Sequence, residues 1–365
     1  TFARPLIRLD PSGRRFIYIR MHGHRAKLHL RRVGSAASDG PVVWDEPIPP
    51  FYCRMSFAGL AWRADGQRVL FAQEPTKDKE GWAADVFGRH MRPWHMCYDL
   101  PNPQFKLCRH RRIDGAGCTA LSYSPDGQTL WTAFSEPKDF KVCGVTGWDS
   151  GRGRGRVLYK RTGACIHHLA PSPDGKHLAW LETYPRKPRA AFRGPDVVVF
   201  DIKAGKPVHR IGLAEHIPSW LDAQPPVWTA DSTAICYGDV VERDRAFRRE
   251  VYVRPLGGND SKAIAQHALA VGAAEEGIIL NRGPGCVPMR QLISSIMPPG
   301  SGGVPPTNDV ILCEPSAGAS PTTLVPNAFA QQVLPGRIIY AQLSGDDVIV
   351  MQAALKPRAK PAVQR

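Results

Sequence analysis

The chain has 365 residues, with 48 Lys and Arg against 33 Asp and Glu, for a formal charge of +15 at pH 7. A hydrophobic content of 43% excludes a disordered polyelectrolyte, and no apolar run approaches the roughly 18 residues of a membrane-spanning helix. Thirty-four Gly and 34 Pro favour many short elements separated by turns over long helices.

Internal repetition organises the chain. The run L-D-P-S-G-R-R-F-I-Y-I begins at Leu9, W-R-A-D-G-Q-R-V-L-F-A at Trp62 and Y-S-P-D-G-Q-T-L-W-T-A at Tyr123. P-S-P-D-G-K-H-L-A-W-L from Pro171 and W-T-A-D-S-T-A-I-C-Y-G from Trp228 continue the series. Each reads as a strand ending, a tight turn and a second strand of alternating pattern. Asp bonds nearby backbone amides, and Gly takes positive φ without steric cost. Weaker copies follow at Gly277 and Gly336. The turn residues Gly13, Gly66, Gly127, Gly175, Ser232, Gly277 and Gly336 recur about every 54 residues, the period of a β-propeller blade. Third strands are expected at 26–32, 94–100, 196–202, 250–256, 309–314 and 346–353. The last unit lacks a fourth strand, which residues Thr1 to Pro5 are expected to supply. No helix longer than two turns is demanded, and the best short candidate runs from Met289 to Met297. The expectation is an all-β chain forming a single β-propeller over residues 1–355. Seven four-stranded blades are expected, with six as the alternative, followed by a basic tail over 356–365.

The S-P-D-G turn followed by an alternating strand, at Ser124 and Ser172, resembles the TolB-type β-propeller repeat. It differs from the WD-repeat type, because Trp44-Asp45 and Trp148-Asp149 stand isolated. The resemblance implies the fold and leaves the function open. Such propellers serve as periplasmic or extracellular interaction platforms, as gates on prolyl-oligopeptidase-like hydrolases and as polysaccharide-lyase scaffolds.

Several enzyme classes lose their usual signatures. There is no G-x-S-x-G, P-loop, H-E-x-x-H, C-x-x-C-H or G-x-G-x-x-G. Nine cysteines without one C-x-x-C remove the zinc-ribbon and thioredoxin-type readings. Cys97 and Cys108 flank a Pro-rich turn symmetrically and would face each other in a hairpin, either bonded or as two buried thiols. His22, His24 and His216 are the only metal candidates; imidazoles two apart in an extended segment point apart, so neither a metal nor a cofactor is expected.

In a propeller, loops joining second to third strands emerge on one face, opposite the Asp-Gly turns. Those loops, among them 20–26 and 239–250, carry about half of the net charge, and in the second of these Arg243, Arg245, Arg248 and Arg249 are offset by four acids. Their candidate partner-binding residues are Arg20 and Arg25, the cluster Arg186, Lys187, Arg189 and Arg193, the aromatics Trp82 and Phe87, and the apolar Met289, Ile293 and Met297. G-R-G-R-G-R from Gly151 reads as a flexible basic turn. The expected function is a non-catalytic interaction module or accessory subunit that binds protein subunits with acidic surfaces. The alternatives are a metal-dependent lyase or hydrolase acting on an anionic polysaccharide, and nucleic-acid binding, disfavoured because aromatics do not interleave the basic runs. The resemblance implies an exported, periplasmic setting, with the cytoplasm as alternative.

Overall fold

A computed structural model of the chain describes residues 7–22, 25–33, 42–47, 60–66, 68–73, 94–99, 106–109, 117–135, 142–149, 155–184, 194–214, 224–243, 246–283, 308–315, 320–344 and 347–355. Every regular element among them is a strand, and the strands form seven antiparallel meanders in chain order. Sheet one holds β1 (Ile7–Leu9), β2 (Arg15–His22), β3 (Arg25–Arg32) and β4 (Val42–Pro47). Sheet two holds β5 (Leu60–Trp62), β6 (Arg68–Gln73), β7 (Trp94–Asp99) and β8 (Lys106–Arg109). Sheet three holds β9 (Gly117–Tyr123), β10 (Thr129–Ser135), β11 (Val142–Asp149) and β12 (Gly155–Thr162). Sheet four holds β13 (Cys165–Pro171), β14 (His177–Thr183), β15 (Asp196–Asp201) and β16 (Lys206–Gly212). Sheet five holds β17 (Val227–Trp228), β18 (Ala234–Arg243), β19 (Ala246–Pro255) and β20 (Lys262–Gln266). Sheet six holds β21 (Ala268–Ala274), β22 (Gly277–Arg282), β23 (Asp309–Cys313) and β24 (Thr322–Val325). Sheet seven has three strands, β25 (Ala328–Leu334), β26 (Arg337–Ser344) and β27 (Asp347–Ala354). Packing divides the chain into two compact units, Thr1–Ile211 and Gly212–Arg365.

Each sheet has its tight turn where the repeat places it. Six of the seven turn residues, Ser232 among them, have φ between 62° and 71°, and Gly277 has φ of 150°. The side chains explain the motif. Ser124 Oγ is 2.5 Å from Asp126 Oδ1 and accepts the Thr129 amide at 2.9 Å, while Asp126 accepts the Gln128 amide at 3.0 Å. Ser172 and Asp174 repeat these bonds, with Ser172 Oγ taking the His177 amide at 2.9 Å. Thr229 and Asp231 repeat them in sheet five. Sheet one exchanges the two groups. Asp10 occupies the hydroxyl's position and accepts the Arg14 and Arg15 amides, while Ser12 donates back to it at 2.9 Å.

The turns also meet their neighbours within the first unit. Arg15, held by Asp10 at 3.0 Å, donates to the Gly66 carbonyl at 2.5 Å and lies over the Trp62 ring. At Gly127 an added Cβ would stand 2.9 Å from Arg63 Cγ and 3.2 Å from the Ala64 amide nitrogen.

In sheets three to six the middle strands are the most buried and the fourth strands the most exposed, so these sheets grade outward from apolar to polar. In β14, Leu178, Ala179, Trp180 and Leu181 are all fully buried, whereas β12 and β16 are largely exposed. Sheets three and four share one core of Trp131, Ala133, Cys143 and Val145 against Ile166, Leu178, Trp180, Val198 and Phe200. Tyr159 packs on Trp180 with ring centroids 5.0 Å apart. In the second unit, one core joins sheets five and six and another joins six and seven. Buried amides tie successive sheets there. Asn281 donates to Ala330 O at 3.0 Å and accepts the Ala330 amide at 2.6 Å, as a neighbouring strand would. Gln224 spans Ala268 O and the Ala270 amide in the same way.

Expected third strands agree with β3, β7, β15, β19, β23 and β27 to within a few residues. Two expected loops are corrected. Arg20 and Arg25 lie in the paired strands β2 and β3, and Arg243, Arg248 and Arg249 lie in the ten-residue strands β18 and β19. In sheet five the segment 239–250 holds no Gly or Pro to stop the ladder, and in sheet one the first Gly after the turn residue, at position 23, comes only after the last residue of β2. Cys97 stands directly opposite Cys108 in the β7–β8 register. Cys143, Cys165, Cys236 and Cys313 are buried free thiols. The expected closing strand at Thr1 to Pro5, the short helix from Met289 to Met297 and the tail over 356–365 lie outside the described residues.

Gly127 and Gly175 have the same backbone, with φ of 70° and 71°, but only Gly127 faces neighbouring atoms. Gly175→Ala is therefore expected to cost about 1 kcal/mol from backbone strain alone. Gly127→Ala is expected to cost clearly more. Urea denaturation of the two variants separates strain from contact between sheets two and three.

Candidate interaction site

The hairpin of β14 and β15 carries the loop 185–193, and its stem is the most densely bonded polar region described. Glu182 and Asp196 stand directly opposite each other in the ladder. Both are buried, at 0% and 3% exposure, so two like charges face each other out of water. Two arginines from exposed fourth strands answer them. Arg161 of β12 reaches Glu182 Oε1 at 2.6 Å. Arg210 of β16 donates through one nitrogen to Glu182 and Asp196, each at 3.1 Å. Tyr184, just before the loop, lies 2.5 Å from Asp196 Oδ2, just after it. Tyr159 closes the other side, 3.1 Å from Glu182 Oε2 and 3.0 Å from Arg210 Nη2.

Burial, and then the hydrogen bond to Asp196, push the Tyr184 phenol up. Burial followed by the Glu182 charge does the same for Tyr159. Burial alone would lower the Arg210 pKa, but its bonds to Glu182 and Asp196 outweigh burial and raise it. The phenols stay protonated and the guanidiniums charged, so the group is a neutral, hydrogen-bonded cluster at the end of the β14–β15 hairpin rather than an acid–base pair.

Sheet five repeats the device. Asp239 stands opposite Glu250, again seven residues past the turn residue. Glu250 accepts from Arg243 at 2.9 Å and from Tyr252 at 2.6 Å, and Asp239 accepts the Ala214 amide with both oxygens. In sheet one the equivalent register places Arg20 opposite Lys27 and His22 opposite Arg25. The structure thus brings Arg20, Arg25 and His22 to one hairpin end. Trp82, Phe87, Arg186, Lys187, Arg189, Arg193, Met289, Ile293 and Met297, with His24 and His216, lie outside the described residues. Among the described residues no group of three His, Cys, Asp or Glu is arranged to hold a metal.

Sequence reasoning did not single out Glu182, Asp196, Arg161 or Arg210. One signal was available. Glu182 is the single acid ending the run H-L-A-W-L-E, and an acid in a strand buried on both faces needs a cation from elsewhere.

His167 and His168 form a second polar group, on the first strand of sheet four. The β13–β14 ladder shifts register after His167, and His168 takes φ of 59°. His167 Nε2 lies 3.1 Å from Thr183 Oγ1. Burial holds His167 down to about 3, with the His168 charge adding to the effect, and burial holds His168 down to about 4.

No known family pattern matches the chain, and no curated protein does. Solved structures do. The β-propeller domain of the Trilobed protease from Pyrococcus furiosus matches with a TM-score of 0.54 at 11% identity, over 81% of this chain and 82% of that one. Hydrazine synthase of Kuenenia stuttgartiensis matches with a TM-score of 0.54 at 15% identity, over 98% and 99%. The Cps50 (Swd1) β-propeller domain of Myceliophteria thermophila gives 0.52 at 10% identity, over 95% and 96%. TolB from Acinetobacter baumannii gives 0.44 at 16% identity over 69% of this chain, which spans about half of that protein's length. The fold is a β-propeller.

Two predictions follow from the stem and the histidines. Glu182→Gln keeps the volume but strands two guanidiniums, and urea denaturation is expected to read a loss of about 2 kcal/mol. That is less than for a fully enclosed pair, because both arginines are partly exposed. The histidines titrate near 6.5 in the unfolded chain, which therefore takes up their protons first as pH falls. Their contribution to stability is complete above pH 6.5 and is lost on the way down toward 3–4. Urea midpoints are expected to drop between pH 7 and 5. His167→Gln with His168→Asn is expected to flatten that drop, Asn being chosen because it tolerates positive φ.

Proposed function

We propose that the chain is a non-catalytic β-propeller interaction module, an accessory subunit of a larger protein assembly, which binds an acidic partner on the face carrying its long loops. The observation that carries this reading is where the acids are used. Glu182, Asp196 and Glu250 are committed to arginines and tyrosines inside the sheets. The segment 185–193, which joins β14 to β15, holds Arg186, Lys187, Arg189 and Arg193 and no acid. Cations joined to a hydrogen-bonded strand pair suit a carboxylate-bearing partner. Arg20 and Arg25, at the end of the β2–β3 hairpin, are the further cations of the same reading, and Trp82, Phe87, Met289, Ile293 and Met297 are its apolar anchors. A protein partner is favoured over nucleic acid, and the TolB-type repeat favours an exported setting.

Poly-L-glutamate is a defined acidic probe for this surface. Wild type is expected to bind it with an affinity that falls with salt. Replacing Arg186, Lys187, Arg189 and Arg193 together by Glu is expected to weaken binding at least about tenfold. Unchanged binding by that variant would overturn the placement. Turnover of polygalacturonate, with or without added divalent metal, would overturn the non-catalytic reading.

A further inference from the structure

β20 is the outer strand of sheet five, and among the described residues its far edge pairs with no strand. A groove of about 370 Å³ runs along β20, between it and residues of sheet six. Its walls are Ala263, Ile264, Ala265 and Gln266 of β20, Arg282 at the end of β22 and Pro321 just before β24. The groove arises from a bulge. Val251 pairs with Ala265 and Tyr252 with Ala263, so Ile264 is an extra residue in the ladder. Its carbonyl instead lies 4.0 Å from Cys313 Sγ of sheet six. A bulge bends and twists its strand, and the small Ala263 and Ala265 side chains leave the backbone edge within reach.

Arg282 gives the groove its polarity. It stands opposite Asp309 in the ladder, yet no carboxylate of the described residues lies within ion-pair distance of it, and Asp309 is used by the Asn327 amide at 3.1 Å. The edge also ends there. His267 follows β20 directly, and its carbonyl accepts the Gly283 amide at 3.0 Å. A strand laid along β20 toward Arg282 therefore meets a cation at the point where it runs out of edge. A chain terminus suits that position, because it supplies a carboxylate and needs to go no further.

We propose that this groove binds the C-terminal segment of a partner protein in extended form, with its backbone along β20 and its terminal carboxylate on Arg282. The contact is independent of the 185–193 cations, so either site can fail without the other. Three or four residues fill the volume, and an Arg–carboxylate fork supplies both charge and direction.

The test uses the full chain and a fluorescein-labelled pentapeptide, Thr-Val-Thr-Val-Val, as the free acid and as its C-terminal amide. Fluorescence anisotropy is expected to show the acid binding at least about tenfold more tightly than the amide, the scale of one charge-assisted contact. Arg282→Gln is expected to bring the acid down to the amide's level and leave the amide unchanged. Ala263→Phe, at an exposed position, is expected to fill the groove and abolish binding of both, while the urea midpoint holds. Equal affinity for acid and amide on the wild type would overturn the proposal. So would absence of binding by the acid, or binding that survives Ala263→Phe.

Discussion

The hydrogen-bonded Asp turn is the constraint on which the rest of this structure depends. In a sheet buried on both faces, a slip of one residue exchanges the two faces, and each face here packs against a different neighbour. The turn prevents that slip at the point where the second strand begins. Ser124, Ser172 and Thr229 each accept the first amide of the strand they precede, and the Asp two residues later accepts the amide before it. Sheet one shows that the bonds matter more than the residue order, because Asp10 and Ser12 exchange places and still hold the amides of Arg14 and Arg15. With the register set, Leu178 and Trp180 go to the face shared with sheet three.

The same register carries through to the opposite end of each hairpin. Seven residues past Gly175 stands Glu182, and seven past Ser232 stands Asp239, each facing a second carboxylate across the ladder. Opposed acids repel, so the arrangement persists only because cations and phenols reach them. In sheet four the cations come from two different fourth strands, β12 and β16, so the network also fastens sheet three to sheet four. A feature of one hairpin thereby becomes a contact between sheets.

Fold and site were unequally legible in the sequence, for a physical reason. Turn chemistry is local: Asp-Gly or Asp-Ser between alternating strands announces positive φ, and all seven positions were readable, including the degenerate Gly277 and Gly336. Hairpin length was less readable, because nothing near Arg20 or Arg243 marks where pairing stops, and the strands ran on through segments that looked like charged loops. The polar cluster was least readable. Arg161 and Arg210 come from separate strands and share no motif with Glu182, so only the three-dimensional register unites them. The mimicry of a strand by Asn281 was equally hidden, because its partner Ala330 lies 49 residues away.

These pairings also change what the net charge means. Arg15 with Asp10, Arg161 and Arg210 with Glu182 and Asp196, and Arg243 with Glu250 are ion-paired, nearly neutral groups in which each acid is buried. They cancel at short range and contribute little to the field a partner meets. The formal +15 therefore belongs to residues outside them, such as Arg156 and Lys206 on exposed fourth strands and the cations of the 185–193 segment. In sheets four and five the acid seven residues past the turn, Glu182 or Asp239, is drawn inward by the register, whereas Arg156 and Lys206 on fourth strands are left exposed. In these two sheets a positive balance at the surface results from how the acids are used as well as from how many cations the chain contains.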